Sequence, residues 1–77
     1  MSVKIYTTSK CKWCKITKDY FTEKKVEYTE SDVEFNNENA TEMGEKSGQR
    51  SVPVIDINGT IIVGFDKEAI DECIRLM

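Results

Sequence analysis

Val52-Pro53-Val54-Ile55-Asp56-Ile57-Asn58-Gly59-Thr60-Ile61-Ile62-Val63 decides the fold. Two β-branched runs flank Asn58-Gly59, a pair that readily takes the positive φ angles of a two-residue hairpin turn. Ahead of it, residues 3–7 are short, β-branched and aromatic, and read as a strand. Thr8-Ser9-Lys10 ends that pattern and leads into a helix over residues 12–23, with Ile16, Tyr20 and Phe21 on one face. Residues 26–29 read as a second strand. Residues 41–46 are predicted helical, with a start near 36–38. Behind the hairpin, Gly64-Phe65-Asp66 precedes a last helix, with Asp66 as its predicted N-cap. Ala69, Ile70, Cys73, Ile74 and Met77 form the apolar stripe of that helix.

The order is therefore strand, helix, strand, helix, hairpin, helix. The first three elements form a βαβ unit with parallel strands and a right-handed crossover. The hairpin then adds antiparallel to the same sheet. The predicted fold class is α/β, thioredoxin-like: a mixed four-stranded sheet flanked by three helices. A chain of 77 residues fits one domain spanning 1–77.

Composition narrows the functional classes. The net charge of −3 argues against a nucleic-acid partner, because phosphate binding needs a basic surface. No apolar run approaches a membrane span, and Met1-Ser2-Val3-Lys4-Ile5-Tyr6 has no apolar leader core. A cytoplasmic monomer with no membrane partner is expected. There are three Cys and no His. An odd count, with two of them only two residues apart, does not read as a disulfide-stapled secreted scaffold.

Cys11-Lys12-Trp13-Cys14 carries the chemistry. Cys11 falls where the first strand ends and the first helix begins, where unpaired N–H groups and the helix dipole favour negative charge. That position predicts a depressed thiol pKa, and the thiolate is the nucleophile in thiol–disulfide exchange. Lys10 and Lys12 add positive potential. Residues i and i+3 are neighbours on a helix, so Cys14 lies within disulfide reach of Cys11. Zinc would need four ligands, and only Cys73 remains, so no metal site is predicted. Cys73 reads as a buried small hydrophobe. Trp13, between the two thiols, reads as a partner contact. Pro53 is either a plain strand-start proline or a cis bond that turns the Val52 backbone toward the sulfurs. In the second case that backbone could pair with a substrate as an added strand.

Three pieces together resemble the glutaredoxin family. They are Ile5-Tyr6-Thr7 ahead of Cys11-Lys12-Trp13-Cys14, then Gly48-Gln49-Arg50-Ser51-Val52-Pro53, then Val63-Gly64-Phe65-Asp66. The resemblance implies the thioredoxin fold, Cys11 as nucleophile, Cys14 as resolving thiol and a cis bond before Pro53. It implies reduction of protein disulfides or glutathione mixed disulfides, with no bound cofactor and glutathione as co-substrate. For substrate binding it implies Arg50 and the Val52 backbone beside Pro53, with Lys10 near a family lysine position that is Thr8 here. The family's Gly-Gly-x-Asp-Asp segment reads Gly64-Phe65-Asp66-Lys67-Glu68, with a bulky Phe65 for the second Gly and Lys67 in the first Asp position. Gly-Phe here, with Asn-Gly in the hairpin, is similar to the redoxins that serve ribonucleotide reductase and are recharged by thioredoxin reductase. A third alternative is an iron–sulfur binding module, in which two subunits share a cluster through Cys11 and two glutathiones.

Overall fold

The computed structural model of the chain describes residues 3–76. Its elements are β1 Val3–Thr7, α1 Lys12–Glu23, β2 Thr29–Asp32, α2 Asn37–Ser47, β3 Val54–Ile57, β4 Thr60–Val63 and α3 Lys67–Arg75. The sheet order is β2-β1-β3-β4, with β1 parallel to β2 and antiparallel to β3, and β3 antiparallel to β4. This is the predicted mixed sheet with three helices.

Strand alternation sorts the side chains into two layers. On one face Val3, Ile5, Ile55, Ile57 and Ile62 pack against Phe21 of α1 and Ile70 of α3. On the other, Tyr6 and Val54 pack against Met43 of α2. Fully burying a side chain the size of Phe21 is worth about 1.5–3 kcal/mol, so the α1/α3 layer carries most of the apolar stabilisation. Ala69, Cys73 and Ile74 pack partly buried against that layer. Met77, placed on the same stripe by spacing, lies outside the described residues.

The α2 layer is held differently. Met43 is the buried residue of this helix. The rest of its grip on the sheet is polar. The Tyr6 hydroxyl donates to Glu42 Oε1 at 2.6 Å, and Lys46 Nζ donates to Asp56 Oδ2 at 2.8 Å and to the Tyr6 oxygen at 3.0 Å. Lys4 Nζ reaches Glu42 Oε1 at 3.2 Å. The Tyr6 hydrogen bond, reinforced by Lys46 and Lys4, holds the Glu42 carboxyl down at about 2.

Two expectations shift. The second strand is Thr29–Asp32, three residues beyond the predicted 26–29. Val26 and Tyr28 are apolar because they pack against the core on the way into the strand, not because they lie in it. Val26 N–H donates to the Phe21 carbonyl at 2.9 Å and closes the turn after α1. The strand itself is polar because it forms a sheet edge with one neighbour. On α1, the buried set is Cys14, Thr17 and Phe21. Ile16, expected on the apolar face, is half-buried, while Thr17 is fully covered and donates from Oγ1 to the Trp13 carbonyl at 2.7 Å. That bond removes the penalty of burying a hydroxyl.

The hairpin forms as read. Asn58 and Gly59 have φ of 51° and 94°, and Gly59 N–H donates to Asp56 Oδ1 at 2.8 Å. Its first strand begins at Val54 rather than Val52, because the Val52–Pro53 peptide is cis and lies outside the ladder.

Candidate active site

The topology brings the C-terminal ends of β1, β2 and β4 and the N-terminal end of β3 to one edge of the sheet. Every sequence-predicted site residue lies on a segment leaving or entering that edge. Cys11, Trp13 and Cys14 follow β1, Arg50, Val52 and Pro53 precede β3, and Gly64, Phe65 and Asp66 follow β4.

Cys11 is the N-cap residue of α1, with extended backbone at φ −88° and ψ 110°. Its sulfur accepts the Cys14 backbone N–H at 3.1 Å, in the place an oxygen cap normally takes. Cys11 is half-buried and Cys14 is 1% exposed, so the two neighbouring sulfurs differ in access. An attacking group from solvent meets Cys11 first.

Trp13 is 55% exposed. Its indole stacks on Phe65, with centroids 6.1 Å apart and planes 21° apart. Tyr20 also meets Phe65, edge-on, with centroids 5.5 Å apart. The Tyr20 hydroxyl donates to Asp71 on α3, which holds the phenol up at about 12. An aromatic chain therefore runs from the dithiol turn to the last helix.

The cis Val52–Pro53 peptide is one of the two alternatives left open by sequence. Gly64 N–H donates to the Pro53 carbonyl at 2.8 Å, tying the two loops together. Gly64 has φ of 79°, a left-handed conformation that L side chains rarely adopt. Asp66 accepts the Ala69 N–H at 3.2 Å and caps α3, as expected. Lys10 and Arg50 are exposed beside these loops.

Sequence reasoning missed the loop after β2. Glu34 Oε2 accepts the Ser9 hydroxyl at 2.5 Å and the Ser9 N–H at 3.4 Å, clasping the segment that leads to Cys11. Asp32 Oδ2 accepts the Phe35 N–H at 2.9 Å, and the Phe35 ring is 84% exposed. The legible signal was a lone Phe in the polar run Asp32-Val33-Glu34-Phe35-Asn36-Asn37. Among the described residues no group of three or more His, Cys, Asp or Glu is placed to hold a metal ion. Likewise, among them no helix is long and apolar enough to cross a membrane.

The glutaredoxin family model matches residues 3–62. An uncharacterized glutaredoxin-like 8.6 kDa protein in the rubredoxin operon of Clostridium pasteurianum is 44% identical over 73 residues, covering 95% of this chain and 97% of that protein. Among solved structures, a glutaredoxin from Archaeoglobus fulgidus superposes with a TM-score of 0.86 at 25% identity, over 96% of this chain and 86% of that one. The glutaredoxin-like NrdH-redoxin of Escherichia coli, described for its thioredoxin-like activity profile, gives 0.82 at 26% identity over 94% and 93%. Sharing nearly its whole length with proteins of this kind, the chain belongs to the glutaredoxin family and is a thiol–disulfide oxidoreductase of the thioredoxin fold.

Proposed function

We propose that this chain is a cytoplasmic protein-disulfide reductase, a single domain over residues 1–77, working through Cys11 and Cys14 with no bound cofactor. The observation that carries the reading is the Cys14 N–H donated to the Cys11 sulfur at the N-terminus of α1. A hydrogen bond to a thiolate is charge-assisted and stronger than one to a thiol, so this geometry favours the reactive form. The Cys11 thiolate attacks one sulfur of a substrate disulfide, forms a mixed disulfide and releases the other sulfur as a thiolate, which takes up a proton. Cys14 then loses its proton and attacks the Cys11 sulfur. The Cys11–Cys14 disulfide closes, and the second substrate thiol leaves. Two electrons pass to the substrate, and an external reductant, either a flavoenzyme or thiols acting in two successive exchanges, must return them.

For the returning step, thioredoxin reductase is the favoured donor, with glutathione a weak co-substrate. Phe65 stands where close approach of a ligand to backbone needs glycine, and its ring is stacked under Trp13. Asp66 is engaged in capping α3, and Lys67 opposes an incoming ammonium group. The similarity to a redoxin with a thioredoxin-like activity profile supports the same choice. A coupled NADPH assay tests this reading. Turnover of a protein disulfide should be fast with thioredoxin reductase and slow with glutathione plus glutathione reductase. The reverse order would return the protein to ordinary glutathione coupling, and no turnover with either would overturn the assignment.

A further inference from the structure

We propose that the surface around Cys11 selects disulfides carried on acidic protein segments. This rests on Cys11 as the attacking thiol, and it names the substrate chemistry that the thiol meets.

The charge distribution is strongly uneven. The first 18 residues contain five Lys and no acid, whereas the rest of the chain holds all fourteen acids and six cations. Two of those five lysines are neutralised within the fold, Lys4 by Glu42 at 3.2 Å and Lys18 by Glu30 at 3.0 Å. Lys10, Lys12 and Lys15 have no acidic partner among the described residues, and all three are exposed. They bracket Cys11 and Cys14. Arg50, also exposed and unpaired, stands ahead of the cis peptide at the same sheet edge. The neighbouring loops also carry two acids, Glu34 bonded to Ser9 and Asp66 to the α3 amide; both bonds come from uncharged donors, so the local balance is four cations against two carboxylates.

Helix stability does not account for this placement. The first turn of α1 has no acid and contains Lys12 and Lys15, whereas α2 and α3 each place a glutamate there. A cation near a helix N-terminus opposes the helix dipole. Lys12 directly follows Cys11 in the chain and is exposed. Lys15, a turn further on and exposed, offers its charge to something arriving from outside. Trp13 lies between them as an exposed flat surface. In a molecule of net charge −3, this local excess of positive charge steers anionic partners to one place.

The test is a single-turnover competition between two disulfide-cyclised peptides of equal length, one flanked by Glu and one by Lys. The pre-reduced full chain is the reductant, and each rate is divided by that of dithiothreitol with the same peptide. That division removes the intrinsic reactivity of the peptide disulfide. The Glu-flanked peptide should react on the order of tenfold faster at low ionic strength, with the preference shrinking toward unity as salt is raised past the Debye regime of about 0.15 M. Lys12→Gln/Lys15→Gln should bring the ratio near one, and Lys12→Glu/Lys15→Glu should invert it. The ratio is insensitive to any change in Cys11 reactivity itself. Lys24→Glu/Lys25→Glu, at the opposite end of α1, should keep the wild-type preference. Equal normalised rates for the two wild-type peptides, or the same loss of preference in the Lys24/Lys25 variant, would overturn the proposal. Failure to reduce either peptide would instead overturn the assignment of Cys11 and Cys14.

Discussion

The Trp13 indole forms an offset stack with Phe65, joining the turn between the two cysteines to the loop before α3. Neither ring is buried in the core, and each limits what the other leaves accessible. Phe65 follows Gly64 directly in the chain, so the stack borders the Gly64 backbone.

Glutathione coupling is therefore expected to improve in a Phe65→Gly/Lys67→Asp double variant. Each restored charge-assisted contact is worth about 1.5–3 kcal/mol, so the gain in kcat/KM for glutathione should be one to several decades. Steady-state kinetics with glutathione reductase measure it. An unchanged value in the double variant would show that the aromatic stack is not the barrier.

Cys14→Ser is expected to accumulate the mixed disulfide between Cys11 and a protein substrate, visible as a mass adduct on intact chains. Reduction of substrates needing two thiols should fall by orders of magnitude, while any monothiol reaction with glutathione mixed disulfides persists. Cys11→Ser should lose both. Full protein-disulfide reductase activity in Cys14→Ser would refute the resolving role.

The Glu42 carboxyl, held at about 2 by Tyr6, Lys46 and Lys4, makes part of the stability pH-dependent. Its folded-state value lies below the ordinary 4.5, so the contribution is complete above pH 4.5 and is lost as pH falls toward 2. Glu42 is about one-third exposed, so the contribution is about 1 kcal/mol rather than the whole shift. Urea unfolding of wild type and Glu42→Gln should differ by that amount at pH 6 and converge by pH 2. A constant difference across that range would place the effect elsewhere.

Gly44 sits inside α2, and a Cβ built there meets nothing within 4 Å. Gly44→Ala is expected to stabilise the fold by about 0.5–1 kcal/mol through lower unfolded-state entropy and better helix propensity. For a domain of this size, that is a rise of several degrees in Tm. Calorimetry checks the sign, and a lower Tm would mean that α2 packs against something at this face.

Much of this arrangement was legible because local signals agreed with the final packing. β1 and α1 occupy the residues predicted, since a β-branched run and a strand-to-helix break at Ser9-Lys10 need no tertiary context. Asn58-Gly59 and Asp66 formed the turn and the cap that their chemistry demands. β2 was misplaced because an edge strand of Thr-Glu-Ser-Asp carries no apolar period, while its pairing partner lies 25 residues away in sequence at Lys4↔Thr29. Thr17 was overlooked because only its bond to Trp13 O makes a buried hydroxyl acceptable. The Tyr6–Glu42–Lys46–Asp56 network and the Glu34–Ser9 clasp join residues far apart in the chain, and no spacing rule reveals such pairs. The dithiol turn was readable from four residues. Its aromatic support on Phe65 and Tyr20 was not.

The interleaved strand order sets the sequence of events during synthesis. β1 is made first but has β2 on one side and β3 on the other, so its ladder is finished only after residue 57 exists. The two thiols thus leave the ribosome long before the Val52–Pro53 loop and Phe65, which reach the same end of the sheet in the finished fold. Until then Cys14, shielded in the finished fold, is as open to oxidants as Cys11. A nascent chain of this topology presents both thiols while its central strand still lacks a partner.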